Sequence, residues 1–189
     1  VFLDRDGVIN AIVFNEDTEQ LDSPLCREQF QLLPGVVDAL RLLREKRFLI
    51  FIVTNQPAAA KGKTTLGNLY DINLSFIKDM QRLGIIIQDI IICPHYERAT
   101  SQTKENFLIK NCDCRKPKPG MMLKILQKYN IAKDRSFMVG DSFTDILAGR
   151  RAGIRTVLIG SLKCDFCKML DYGKPDMIRS SLLDFAEQI

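Results

Sequence analysis

The sequence lacks several features that would assign its class directly. It contains no tryptophan, no block of five or more basic residues, and no apolar run long enough to span a bilayer. The longest apolar candidate, Phe48 to Thr54, is only strand-sized. No signal peptide is visible, so a cytoplasmic location and no membrane partner are the default expectations. The scattered basic charge and the missing tryptophan also argue against nucleic acid, because single-strand grooves combine charge with aromatic stacking.

The composition is that of an ordinary globular protein. The chain has 189 residues, of which 46% are hydrophobic and 26% charged. That length suits a single domain over residues 1–189, expected to be a monomer, with a core of its own. The net charge of +4 is compatible with an anionic substrate.

Buried strands alternate with amphipathic helices along the chain. Apolar runs at 2–3, 48–53, 85–93, 136–139 and 156–159 read as strands, and the intervening segments have helical spacing. This alternation predicts an α/β fold with a doubly wound parallel sheet. In such sheets ligands bind beyond the carboxyl ends of the strands, where Asp4, Thr54, Cys93 and Asp141 are expected.

Two carboxylates follow the opening strand. Asp4 and Asp6 flank one residue, and a turn at Gly7 would let both face the crevice. Adjacent carboxylates repel unless a cation or a shared proton joins them, and Mg²⁺ with its oxygen ligands meets that need. Taken alone, the pair is more typical of a surface turn rich in Asp and Gly.

Other polar groups are expected at neighbouring strand ends. Thr54 and Asn55 end the second strand, where a hydroxyl and backbone N–H groups suit a phosphoryl oxygen. Asp141 would complete the magnesium site, and Asp145 could either receive a lysine or cap the following helix. Lys116 lies in a segment whose prolines and glycine fix the backbone. Each feature alone also fits a turn, a cap or a solvated charge; together they favour a site for phosphoryl transfer.

The six cysteines do not suggest a disulfide framework, because the chain is neither demonstrably secreted nor very short. Cys93, His95, Cys112 and Cys114 offer three thiolates and one imidazole, a suitable tetrahedral set for structural Zn²⁺. The loop about 93–114 would then be tied together by the metal. Cys164 and Cys167 also have metal or redox spacing but lack a second pair, so reduced thiols are favoured there.

The combined order of these motifs resembles the haloacid dehalogenase superfamily of phosphohydrolases. The resemblance spans roughly residues 2–160. It is closest to the capless branch that contains histidinol-phosphate and heptose 1,7-bisphosphate phosphatases. The segments responsible are Leu3-Asp4-Arg5-Asp6-Gly7-Val8-Ile9-Asn10, Val53-Thr54-Asn55-Gln56, Cys93-Pro94-His95 and Cys112-Asp113-Cys114-Arg115-Lys116-Pro117.

The resemblance implies roles for these residues. Asp4 would attack phosphorus and form an aspartyl-phosphate, and Asp6 would act as general acid and then as general base. Asp4, Asp6 through its backbone carbonyl, and Asp141 would hold Mg²⁺, while Lys116 and Thr54 would offset charge on the phosphoryl group. The expected contacts to a small phosphorylated substrate come from Arg5, Asn10, Asn55, Gln56, Arg115 and Ser142.

Two segments depart from this branch. The stretch 11–31 is longer than its usual substrate loop, and Pro57-Ala58-Ala59-Ala60 replaces the usual Ser-Gly after Gln56. The core reaction is therefore expected to be kept while recognition of the rest of the substrate changes. Heptose bisphosphate is the first expectation for the substrate. The alternatives are histidinol phosphate, another sugar phosphate, a polynucleotide 3′-phosphate, or a binding protein that has kept the fold without catalysis.

Overall fold

The computed structural model describes residues 1–16, 19–160 and 173–189. Cys164 and Cys167 lie outside the described residues. The elements follow in the order β1 (Phe2–Leu3), β2 (Val13–Asn15), β3 (Gln20–Asp22), α1 (Val36–Glu45), β4 (Phe51–Asn55), α2 (Leu66–Arg82), β5 (Asp89–Cys93), α3 (Gly120–Lys128), β6 (Phe137–Gly140), α4 (Phe143–Ala152), β7 (Arg155–Ile159), β8 (Met177–Arg179) and α5 (Leu182–Gln188).

Six strands form one parallel sheet in the order β5-β4-β1-β6-β7-β8. The chain runs outward from the central β1 to one edge and then, after β5, back to the other side. This is the predicted doubly wound arrangement, and the reversal places the carboxyl end of β1 at the topological switch point.

The central strands are apolar on both faces because helices cover both sides. One hydrophobic cluster, containing Leu3, Ile52 and Val139, packs against residues of α1 and α5. The other, containing Phe2, Phe51 and Met138, packs against α3. Alternate residues of the same strands thus face opposite layers, as the period of a strand requires.

The strand that carries Thr54 is shifted relative to the sequence prediction. β4 begins at Phe51 rather than Phe48, because Phe51 pairs with Phe2, the first residue of β1. It also extends through Thr54 to Asn55, which pairs with Cys93 of β5. Thr54 and Asn55 therefore end the strand, as the sequence indicates.

α2 is one of the helices indicated by the spacing between the predicted strands, and the Thr65 side chain caps it by accepting from the Asn68 N–H. α4 is closed by Gly153, which adopts the left-handed conformation that favours glycine. No helix among the described residues is both long and apolar enough to cross a bilayer.

The antiparallel hairpin of β2 and β3 was not predicted. Phe14 and Leu21 pair across it, and both side chains are exposed. Since neither face is buried in the core, the usual alternation of apolar and polar residues that reveals a strand is weak there.

Candidate active site

Asp4 lies directly after β1, at the carboxyl edge of the sheet. Its backbone N–H donates to the Val139 carbonyl at 2.9 Å, which fixes it between β4 and β6. Its Oδ1 accepts from the Arg5 N–H at 2.7 Å and lies 2.8 Å from Lys116 Nζ. The structure thus brings together the predicted carboxylate and the predicted lysine, 112 positions apart in the chain.

Lys116 bridges two carboxylates in a dry environment. Its ammonium lies 2.6 Å from Asp145 Oδ1, as an ion pair, and donates to the Val53 carbonyl at 2.9 Å. Burial alone lowers the pKa of Lys116, but the charges of Asp145 and Asp4 outweigh it and raise that pKa above its usual range. Lys116 is therefore a fixed positive charge in the site.

The pKa of Asp4 moves in the opposite direction from that of an ordinary ion-paired carboxyl. Burial, with repulsion from Asp145, raises its pKa to about 7 despite the attraction of Lys116. A bound cation would lower that pKa again, because it favours the carboxylate.

Asp141 and Asp145 approach Asp4 from β6 and α4. One carboxylate oxygen from each of the three lies within 4.8 Å of the others. Gly7, at φ +81°, makes room for Asp141, since a Cβ there would collide with the Asp141 carboxylate. Gly140 likewise leaves space for Asp145, because a Cβ at Gly140 would collide with the Asp145 side chain. The two glycines thus permit a cluster of oxygen donors of the kind that Mg²⁺ takes.

Asp145 has both of the roles that the sequence left open. Its Oδ1 pairs with Lys116, and its Oδ2 accepts from the backbone N–H and the hydroxyl of Ser142 at 3.1 and 2.6 Å. It therefore caps α4 and positions the lysine at once.

A buried network surrounds Asp6. Its Oδ1 accepts from Arg5 Nη2 at 2.9 Å and from Asn10 Nδ2 at 2.9 Å, and its Oδ2 accepts from Gln56 Nε2 at 2.5 Å. Gln56 Nε2 also donates to Thr54 Oγ1 at 3.0 Å. Asp6 and Thr54 are thereby joined through one amide.

Five of the six residues expected to contact substrate have side chains that bind other site residues, and their contact with substrate stays a prediction. Arg5, Asn10 and Gln56 are fully buried, with side chains bonded around Asp6. The other two support neighbours. Asn55 binds the Lys116 backbone at both ends of its amide, at 3.0 Å each, and the Ser142 hydroxyl donates to Asp145. Sequence patterns could not show this because the same polar residues serve either purpose.

Arg115, the sixth residue expected to contact substrate, lines a cavity. Its guanidinium packs over the Tyr96 ring, 5.6 Å from the centroid, and donates to the His95 carbonyl at 3.3 Å. The cavity has a volume of about 480 Å³ and adjoins Lys116. The other charged residues that line it are Glu97, Arg98, Lys110, Lys118 and Arg151. Positive charge thus predominates beside the site.

The four predicted zinc ligands converge. Cys114 Sγ lies 3.1 Å from Cys93 Sγ, 3.2 Å from Cys112 Sγ and 3.2 Å from His95 Nδ1. All four ligand atoms lie within 4.8 Å of one another. The contact with Cys93 lowers the pKa of Cys114 to about 5, which favours a thiolate there. Three sulfurs and one imidazole fit a closed tetrahedral zinc site.

Asn73 of α2 is the site residue that the sequence analysis missed. It is buried, accepts from Arg5 Nη1 at 3.0 Å and donates to the Leu69 carbonyl at 2.8 Å. A signal was present, since Asn73 interrupts the apolar face formed by Leu69, Ile72 and Phe76. A lone polar residue on such a face indicates a buried partner.

Comparison with known proteins agrees with this geometry. A family model described as HAD-hydrolase-like matches residues 113–185. D-glycero-beta-D-manno-heptose-1,7-bisphosphate 7-phosphatase of Pasteurella multocida is 34% identical over 84% of this chain and 80% of its own. The enzyme of that name from Vibrio cholerae is 36% identical over 84% and 79%.

A solved structure gives the same result. D,D-heptose 1,7-bisphosphate phosphatase from B. bronchiseptica, complexed with magnesium and phosphate, superposes with a TM-score of 0.79 at 27% identity. The match covers 100% of this chain and 96% of that one. The chain therefore belongs to the haloacid dehalogenase-like hydrolases, within the group of phosphatases that includes these relatives.

Proposed function

We propose that the chain removes one phosphate from a sugar bisphosphate, with D-glycero-D-manno-heptose 1,7-bisphosphate as first candidate and its 7-phosphate as the group removed. The observation that carries the proposal is the contact of Asp4 with the buried Lys116 at the switch point of the sheet. The names of the relatives supply the candidate substrate.

Asp4 is the nucleophile in this proposal. Both of its contacts, from the Arg5 N–H and Lys116, are to Oδ1. Oδ2 is then the oxygen that attacks phosphorus, forming an acyl phosphate as the bond from phosphorus to the sugar oxygen breaks. Lys116 and the Thr54 hydroxyl stabilise the charge on the phosphoryl oxygens.

Asp6 moves the protons in both displacements. As the sugar oxygen leaves, Asp6 gives it a proton and becomes a carboxylate. In the second step Asp6 takes a proton from water while that water attacks phosphorus. The bond between phosphorus and Asp4 then breaks, inorganic phosphate leaves, and Asp6 is protonated for the next turnover.

Asp4, Asp141 and the Asp6 backbone carbonyl would hold Mg²⁺. The fit rests on the cluster of carboxylate oxygens and on Gly7, whose missing side chain admits Asp141. When bound, the ion supplies positive charge that orients and neutralises the phosphate. Asp145 binds Lys116 and caps α4, so its role is to position Lys116 rather than to hold the ion.

The basic cavity favours a substrate with a second anionic group. Arg115, Lys118, Lys110 and Arg151 line it beside Lys116, and Glu97 is the one acid among the described residues of the lining. A bisphosphate would place its remote phosphate there. Histidinol phosphate, the alternative, has a cationic end and would be disfavoured by this lining. The cavity's lining therefore supports a bisphosphate.

Cys93, His95, Cys112 and Cys114 would hold a structural Zn²⁺. With all four positions filled by protein, such an ion has no place for a reacting water. Its role would be to fix the segment that leads into Arg115 and Lys116.

The test is a phosphate-release assay with and without Mg²⁺. Heptose 1,7-bisphosphate should be hydrolysed at the 7 position with higher kcat/KM than histidinol phosphate, and Asp4→Asn should remove both activities. Equal or better use of histidinol phosphate would overturn the substrate proposal. Release that is unaffected by magnesium removal, or retained in Asp4→Asn, would overturn the mechanism.

A further inference from the structure

The buried network around Asp6 determines which of its two oxygens reacts. Oδ1 accepts three N–H groups, from Arg5 Nε at 3.2 Å, Arg5 Nη2 at 2.9 Å and Asn10 Nδ2 at 2.9 Å. Oδ2 accepts one, from Gln56 Nε2 at 2.5 Å. A carboxylate oxygen has two lone-pair sites, so Oδ1 is filled and Oδ2 retains one. The proton that Asp6 transfers therefore belongs on Oδ2.

The orientation of the Gln56 amide is set by its surroundings. Arg5 Nη2 lies 3.0 Å from Gln56 Oε1, and a guanidinium can only donate, so an acceptor oxygen must face it. Arg5 is held in turn by the side-chain oxygen Oδ1 of Asn73, which accepts from Nη1 at 3.0 Å. The two N–H groups of Gln56 consequently point to Asp6 Oδ2 and Thr54 Oγ1.

This arrangement also directs the Thr54 hydroxyl hydrogen away from Gln56. Because an amide nitrogen cannot accept, Thr54 Oγ1 must accept from Gln56. Its single hydrogen is then available to a phosphoryl oxygen. One amide thus orients the donor that holds the phosphate and the carboxyl group that moves the proton.

We infer that Gln56 is a positioning residue for phosphoryl transfer, locked by Arg5 and Asn73, which presents Asp6 Oδ2 to the leaving oxygen and frees the Thr54 hydrogen for the phosphate. The inference rests on the proposed function and extends it. In the first displacement the proton moves from Asp6 Oδ2 to the sugar oxygen while Gln56 continues to donate to Oδ2.

The test compares two esters that differ in their need for an acid. A sugar phosphate has a poor leaving group and depends on proton transfer, whereas p-nitrophenyl phosphate releases a stable phenolate and hardly does. Gln56→Met keeps the length of the side chain and removes both N–H donors. We expect kcat/KM to fall about 10²-fold for the sugar phosphate and about tenfold or less for the aryl ester, which loses only the orientation of Thr54.

A second variant guards against loss of folding. Gln56→Leu is a second replacement of similar size that cannot donate to Asp6 or Thr54 and adds no charge, so it should show the same selective loss. Gln127→Met, an exposed change of the same kind on α3, should leave both rates unchanged. Thermal melting checks that each variant is folded.

The outcomes separate the two proposals. A selective loss on the sugar phosphate in a folded Gln56 variant supports the positioning role. An equal loss on both esters, or none, would overturn that role while leaving the phosphatase intact. A wild-type protein inactive on both esters would overturn the proposed function itself.

Discussion

Lys116 is the cation between two buried carboxylates, so its removal should affect stability as well as catalysis. Lys116→Met would leave Asp4 and Asp145 facing each other without a counter-charge. In magnesium-free buffer the free energy of unfolding should fall by about 3–5 kcal/mol, the usual cost of breaking a buried pair. Urea denaturation gives this value. Lys124→Met, on an exposed position of α3, is the matched control and should be within about 0.5 kcal/mol of wild type. A Lys116 variant as stable as this control would contradict the bridging role.

At the residue scale, the sequence predicts the residues at the centre of the candidate site better than the residues that support them. Asp4, Asp6, Thr54, Lys116 and Asp141 follow from motif order, and the structure brings them to one edge of the sheet. The contacts around them arise from tertiary packing. The hydrogen bond between Asn73 and Arg5 joins positions 68 apart, and no local pattern in the sequence predicts a contact over that separation.

The loop 93–114 is the element whose stability should depend on a metal. The purified protein should hold about one equivalent of zinc if the four ligands act in one site. Cys112→Ser should reduce this content sharply and increase amide exchange over residues 96–111, without changing exchange in β4. Cys26→Ser is the control, since Cys26 lies outside the ligand cluster and should leave zinc content unchanged. Full zinc occupancy in Cys112→Ser would exclude the predicted ligand set.

This loop also has an apolar anchor. Leu108 is buried against Ala58, Ala59, Ala60 and Leu69. The alanines that replace the usual Ser-Gly thus form the apolar surface against which the loop packs. The apolar run Phe107-Leu108-Ile109 is too short to show a period, so neither this packing nor the β2–β3 hairpin could be predicted from pattern.

At the scale of the whole molecule, magnesium should stabilise the fold in a manner that depends on pH. The pKa of Asp4 is raised from 3.8 to about 7, so between these values the folded state binds a proton that the unfolded state does not. The stability that protonated Asp4 contributes to the metal-free fold is therefore lost as pH rises through this window. Mg²⁺ requires the carboxylate, so it should raise the melting temperature more at pH 8 than at pH 6.

Thermal melts at a fixed magnesium concentration measure this difference. Asp4→Asn replaces the carboxyl group with an amide, which does not ionise in this range. The increase in its melting temperature with magnesium should therefore be smaller and equal at the two pH values. A wild-type shift that is larger at pH 6 than at pH 8 would contradict the sign of the Asp4 pKa change.

The parallel sheet is the feature of the whole molecule most readily predicted, because its strands are continuous apolar runs separated by helices. Strand order and register depend on pairings such as that of Phe51 with Phe2, which sequence pattern alone does not define. That the chain unfolds as one domain over 1–189 and is a monomer stays a prediction.

The most direct test of the account is to locate the phosphoryl group on the enzyme. Asp6→Asn with p-nitrophenyl phosphate and Mg²⁺ should complete the first displacement, since that leaving group needs little acid, and slow the second, which lacks its base. After an acid quench and digestion, mass spectrometry should find the phosphoryl group on Asp4. The Asp4→Asn, Asp6→Asn double variant should carry none. Phosphoryl label on any other residue, or rapid phosphate release from the double variant, would contradict the claim that Asp4 is the nucleophile.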